Sequence, residues 1–213
     1  MSSQNYHQDQ PIYRAGEPLE TAQAVMLMLH GRGASAQDIL ALAEELPRDG
    51  VCFLAPQAAN ATWYPFPFMQ PLKKNEPWLS SALNLVDALV TRVRAANIPH
   101  EKIFLLGFSQ GACLALEYAA RHAQKYGGII GLSGGLIGPD DTPRDYAGSF
   151  EGTPVFLGCS DVDFHIPKER VMETRAVLAR MGAEVTMRLY PNMEHTVNRD
   201  EVEFAKALME LAL

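Results

Sequence analysis

Ser109 stands between two glycines in Gly107-Phe108-Ser109-Gln110-Gly111, with Ile103-Phe104-Leu105-Leu106 before it and Ala112-Cys113-Leu114-Ala115-Leu116 after it. Gly-x-Ser-x-Gly between an apolar strand and a helix is the pattern of a nucleophile elbow, a sharp strained turn that presents its hydroxyl. The glycines let that turn pass close to neighbouring chain. The helix that follows aims its N-terminus at the serine, and the Gln110 N–H there can help bind an oxyanion. A serine hydroxyl is a weak nucleophile alone. It needs a base, a carboxylate that orients the base, and a second oxyanion donor.

The base should come late in the chain. His195 lies in "YPNMEHTVN", beyond an apolar run at 185–189 and before the last helical segment. That is the C-terminal end of a strand, where open α/β sheets carry their chemistry. Of the 6 histidines, His7, His100 and His122 read as surface residues and His30 as a structural side chain. The acid should lie between serine and base, and "VFLGCSDVDFHIP" offers both Asp161 and Asp163 on another strand end. An aspartate there holds the imidazole in one tautomer and stabilises the imidazolium formed when His195 takes the serine proton. Cys159, Asp161, Asp163 and His165 also raise a metal site, but alternate residues of an extended loop do not converge on one ion, so none is expected. The second oxyanion donor is the Arg32 N–H, in "MLMLHGRGAS", where glycines let the loop approach the substrate oxygen. The Arg32 side chain reads either as a solvated loop charge or as an attractor for an acidic substrate group.

These residues need a scaffold that brings strand ends together. Short apolar runs at 12–14, 24–29, 51–55, 103–106, 128–132, 155–157 and 185–189 read as strands. They alternate with helical periodicity at 36–46, 79–96, 110–122, 168–181 and 200–211, the last opening on Asn198 as a cap. Repeated strand–helix–strand units with near-continuous apolar strands predict an α/β fold, a mostly parallel sheet covered on both faces. No repeat or composition break divides the 213 residues, so one domain is expected. Residues 58–77, "AANATWYPFPFMQPLKKNEP", break the alternation with four prolines. Disorder there would expose much aromatic surface, so the segment is expected to be an ordered, functional loop. Within and beside it, Trp63, Phe66, Phe68 and Trp78 are candidates to line an acyl or aromatic pocket, the alternative being a satellite cluster packed beneath the loop.

The net charge of −7, from 18 basic and 25 acidic side chains, argues against nucleic acid or an anionic membrane as partner. No stretch approaches the roughly 18 unbroken apolar residues of a membrane helix. The N-terminus lacks a signal-peptide layout, and three scattered cysteines argue against a disulfide framework, so the cytoplasm is expected.

"LHGRGAS", "GFSQGA", "DFHIP" and "PNMEHTV" occur in that order and resemble the four signature segments of the phospholipase/carboxylesterase family, which includes the acyl-protein thioesterases. The likeness runs from about residue 24 to the C-terminus. The family's acid lies four residues before the proline of its Asp-x-x-Val-Pro turn, which matches Asp163 ahead of Pro167. The resemblance implies an α/β-hydrolase without cofactor that cleaves carboxylic esters or thioesters, often as a cytoplasmic homodimer. Two departures stand out. "TWYPFPFMQPLKKNEPW" only partly resembles the family's Trp-Phe-Asp stretch, and Arg32 replaces an apolar residue usual in acyl-protein thioesterases. Both fall where acyl chains bind, so a smaller ester is expected as substrate. The expected activity is a serine carboxylesterase, with a thioesterase or lysophospholipase using the same triad as the alternative. A non-catalytic binding protein on the same fold would show a broken triad, and all three members are present.

Overall fold

In the computed structural model, which describes residues 5–213, a seven-stranded sheet has the order β1-β3-β2-β4-β5-β6-β7. The strands are β1 (Ile12–Gly16), β2 (Ala24–Leu29), β3 (Val51–Pro56), β4 (Ile103–Phe108), β5 (Gly128–Leu132), β6 (Pro154–Ser160) and β7 (Glu184–Tyr190). Only β1 runs antiparallel, along β3 at one edge. The other pairings are parallel, in line with the unbroken apolar character of β2, whose six residues are all buried.

The helices are α1 (Ala36–Leu40), α2 (Leu72–Asn75), α3 (Trp78–Ala95), α4 (Gln110–Arg121), α5 (Lys168–Arg180) and α6 (Arg199–Ala212). Side chains of α3, α4 and α5 close one face of the sheet, while those of α1 and α6 close the other. Burying one Leu or Met of β2 between such layers contributes on the order of 2 kcal/mol. Sequence periodicity extends the first helix to residue 46, but the chain tightens into a 3₁₀ turn at Ala41–Glu44 ahead of Pro47. The loop over 58–77 is ordered and contains a 3₁₀ turn at Ala59–Ala61 and the short α2.

Chain direction reverses across the sheet between β2 and β4, because β3 is laid outside β2 before the chain returns to form β4. The crevice at the C-terminal ends of these strands is where such sheets bind ligands. Loops leaving β2, β4, β6 and β7 meet there.

The exit of the β7 loop is fixed by the capping box of α6. Asn198 Oδ1 accepts the Glu201 N–H at 3.0 Å, and Glu201 Oε2 accepts the Asn198 N–H at 2.8 Å. The Glu201 side chain is wholly buried against Gly158 of β6, where a Cβ would collide with Oε1, and Oε1 has no hydrogen-bond partner among the described residues. Burial pushes this carboxyl from 4.5 up to about 7, against the opposing pull of the Asn198 N–H. The folded state therefore keeps a proton that the unfolded chain has already released. The stability this gives is complete below about pH 4.5 and is lost as pH rises through about 7. Glu201→Gln keeps a cap acceptor and removes the titration. Relative to the parent, the variant should gain about 3 kcal/mol between about pH 4.5 and about pH 8. Urea unfolding at both pH values measures this, and parallel curves for the two proteins would contradict it.

Candidate active site

The turn between β4 and α4 places Ser109 at φ 54°, ψ −120°, outside the regions a non-glycine residue ordinarily occupies. Two backbone bonds hold it there: the Ser109 N–H donates to Leu132 O of β5 at 2.9 Å, and Ser109 O accepts the Cys113 N–H at 3.0 Å. The flanking glycines are required by contact. A Cβ on Gly107 would overlap Gly111 and Ala112 backbone, and one on Gly111 would overlap Leu29 and His30 backbone. The elbow can therefore be built only where both positions lack a side chain.

His195, on the loop after β7, has Nε2 at 2.8 Å from Ser109 Oγ and Nδ1 at 2.7 Å from Asp163 Oδ2. This geometry fits the tautomer in which Nδ1–H donates to the carboxylate and Nε2 accepts the serine proton. The Asp163 side chain is fully buried, and Oδ1 accepts the His165 and Ile166 N–H groups at 2.8 and 3.0 Å. Burial alone would raise its pKa, but the His195 bond and the two N–H donors outweigh burial and hold the carboxyl below its ordinary value. Asp161 points elsewhere. Its Oδ1 accepts the Asn192 N–H at 2.8 Å, tying the His195 loop to the turn that carries Asp163. The Phe108 ring lies against His195 at 5.0 Å and His165 crosses its edge at 4.9 Å, so the imidazole is confined on two sides.

Gln110 is the first residue of α4, so its N–H has no acceptor within that helix. Residue 32 lies across from it in the loop after β2, where a Cβ on Gly31 would come within 3.5 Å of Ser109 Cβ. His30 anchors this loop from below: it is buried, with Nδ1 at 2.7 Å from Gly31 O and Nε2 accepting the Ala58 N–H at 3.0 Å.

A cavity of about 480 Å³ opens beside Ser109, walled by Tyr64, Pro65, Pro67 and Phe68 of the aromatic loop, by Gln110 and Cys113 of α4, and by Ile166. Phe68 is the one of the four aromatic candidates that lines it. Its carbonyl accepts the Gly138 N–H at 2.8 Å, and the Arg170 guanidinium stacks over its ring at 5.7 Å. The remaining candidates are displaced by their own bonds. Trp63 is wholly buried beneath the loop, its indole N–H donating to His30 O at 2.8 Å. Trp78 opens α3 and stacks on Tyr6 at 4.3 Å. The Phe66 ring is about half exposed (48%), because its backbone N–H is drawn inward to Asn75 Oδ1 at 2.8 Å. His7, expected at the surface, is fully buried. Its Nε2 lies 3.0 Å from Trp63 O and its Nδ1 accepts the Ala59 N–H at 3.1 Å, so it props the loop from below.

Sequence reasoning missed Cys113 and Tyr64 as wall residues. Cys113 sits one helical turn beyond Ser109 and so on the same face, a spacing signal available in the sequence. Tyr64 carries no such mark among several loop aromatics. A larger cavity, of about 820 Å³, lies at the opposite end of the sheet beneath α6 and includes none of the Ser109, His195 and Asp163 cluster. The cleft beside Ser109 is the one with chemistry at hand: a hydroxyl that can pass its proton to an imidazole backed by a buried carboxylate, next to an apolar recess.

A family model described as Phospholipase/Carboxylesterase matches residues 12–213. Among solved structures, a phospholipase/carboxylesterase from Dyadobacter fermentans is similar, with 43% sequence identity and a TM-score of 0.92 over 96% of this chain and 98% of that one. Acyl-protein thioesterase 1 of Saccharomyces cerevisiae is 26% identical over 222 residues, covering 94% of this chain and 97% of the relative. Acyl-protein thioesterase 1 of Gibberella zeae is 30% identical over 127 residues, and that match spans 55% of this chain and about half (51%) of the relative. Matched by the family model over nearly all its length, the chain belongs to the phospholipase/carboxylesterase family of α/β-hydrolases.

Proposed function

We propose that the protein is a serine carboxylesterase that hydrolyses small to medium carboxylic esters through an acyl-enzyme on Ser109. The observation that carries this reading is the unbroken hydrogen-bonded line from Ser109 Oγ through His195 to Asp163, opening onto an apolar cavity of about 480 Å³. Ser109 Oγ attacks the ester carbonyl as His195 Nε2 takes its proton. Asp163 stabilises the imidazolium and stays ionised throughout. The N–H groups of Gln110 and residue 32 receive the oxyanion. His195 then protonates the departing alcohol, activates a water that attacks the acyl-enzyme, and returns the proton to Ser109 as the acid leaves. No cofactor enters these steps.

The acyl group lies against Phe68, Tyr64 and the prolines at 65 and 67. The proline rings restrict their own φ angles, so this wall yields little to a longer chain. Each additional buried methylene is worth only about 0.8 kcal/mol, and a single clash removes more than that. Three free, buried cysteines suit a reducing compartment, and we assign the protein to the cytoplasm. No helix among the described residues is long and apolar enough to cross a membrane. Thioester cleavage by the same residues is the second reading, favoured by relatives named acyl-protein thioesterase.

A fluorophosphonate should label Ser109, and Ser109→Ala should abolish both labelling and hydrolysis. Labelling at another residue, or full activity in the variant, would refute the mechanism. Asp163→Asn should lower kcat by a factor on the order of 10⁴, because the imidazole loses its tautomer and its counter-charge. Asp161→Asn, which loosens only the Asn192 tie, should cost far less, and the reverse ranking would move the acid to Asp161. On p-nitrophenyl esters of increasing length, kcat/KM should peak at short to medium chains, and Phe68→Ala should shift the optimum upward with Ser109 labelling intact. A steady rise to palmitoyl esters would contradict the pocket. Matched thioesters in the same panel decide between the two readings by their relative kcat/KM.

A further inference from the structure

Arg32 carries one proposed oxyanion donor on its backbone, while its side chain is committed to the aromatic loop. Nη1 donates to Thr62 Oγ1 at 3.0 Å and to Pro65 O at 2.9 Å. Nη2 donates to Tyr64 O at 2.9 Å and to Phe66 O at 3.1 Å. Such a pattern requires the planar fork of a guanidinium; a lysine ammonium is a point charge and cannot span it. The side chain is exposed and lines the cavity beside Ser109, so this grip adds to the two sequence readings without deciding between them. Both terminal nitrogens serve acceptors of the protein itself.

Gln110 carries the other proposed oxyanion donor, and its side chain grips the same segment. Its Oε1 accepts the Trp63 N–H at 2.9 Å, and its Nε2 donates to Tyr64 O at 2.8 Å. Side chains of the two oxyanion residues thus converge on one carbonyl, that of Tyr64. The Gly33 N–H adds a backbone tie to Ala61 O at 2.7 Å. The segment held in this way supplies Tyr64 and Pro65 to the cavity wall.

We propose that the Arg32 side chain is a positioning and specificity-determining residue: it locks residues 62–66 onto the oxyanion loop, and the locked segment limits the acyl length that the cleft turns over. The proposal rests on the ester-hydrolase reading given above. An acyl chain that overfills the recess pushes on a wall bonded to the oxyanion residues themselves. The penalty therefore reaches kcat as well as KM, since donor positions shift along with the wall.

The test compares parent, Arg32→Ala and Arg32→Lys on p-nitrophenyl acetate, butanoate, octanoate and dodecanoate, with fluorophosphonate labelling of Ser109 in each. Both variants should lose about tenfold in kcat on the two short esters, because the donors are no longer held in place. In both, the dodecanoate-to-butanoate ratio of kcat/KM should rise about fivefold or more as the wall gives way. Parent-like behaviour of Arg32→Lys would show that charge and not the fork matters, and would overturn the proposal. An unchanged chain-length ratio in Arg32→Ala would overturn it too. Should Arg32→Ala fail to fold, Thr62→Val removes the hydroxyl that accepts from Arg32 Nη1 and donates to Gln110 Oε1 at 3.2 Å, and it must shift the ratio in the same direction, or the proposal fails. A parent protein that cleaves none of these esters and resists the phosphonate defeats the esterase reading instead, so the two failures are distinguishable.

Discussion

The first turn of α4 lies directly on the end of β2, backbone against backbone. Gly111 meets Leu29 and His30 with no room for a methyl group, and Gly107 meets Gly111 in the same way. This contact bends the chain so sharply that Ser109 is held at a positive φ, and it also brings the loop after β2 alongside the serine. The spacing between Ser109 and the loop after β2 is thus set by main-chain atoms, which cannot relax as side chains do. Flexible side chains add orientation, but the close approach precedes them.

A second layer of order comes from histidines and arginines that take no part in the proposed proton transfer. His7 and His30 are both buried, and burial lowers the pKa of each, favouring the neutral rings that accept one N–H and face one carbonyl. With the Trp63 indole they form the floor on which the proline-rich loop rests. Arg32 secures the loop from the cleft side, and Arg170 backs Phe68 from behind while donating to Leu136 O and Gly138 O. A 20-residue segment poor in regular structure is held by polar contacts from residues distant in sequence in place of a helix or ladder.

Much of the frame was legible in the sequence because its signals are local and periodic. The apolar runs mark all seven strands, and only their ends differ by a residue or a few. The elbow, the acid turn and the histidine loop could be read because each follows a strand, and a parallel sheet brings strand ends to one side. The aromatic loop was less readable, for a physical reason. Which ring faces the cleft depends on distant partners: His30 O draws in Trp63, Asn75 draws in the backbone of Phe66, and Tyr6 holds Trp78. His7 was misjudged on the same account, since a polar residue in a polar stretch gives no sign that Trp63 and Ala59 await it. The four-acceptor grip of Arg32 is likewise invisible before the loop is folded.

The position of β7 ties the cluster at Ser109 to the edge of the sheet. It is the outermost strand on its side of the sheet, paired only with β6, and the His195 loop follows it directly. Ser109 and His195 lie 86 residues apart, and their meeting requires β7 to be docked along β6, since the His195 loop leaves the end of that edge strand. With that edge undocked, the elbow between β4 and α4 would stand without His195 beside it. The contact between Ser109 and His195 therefore reports on whether the outer edge of the sheet is docked, while the elbow reports only on its centre.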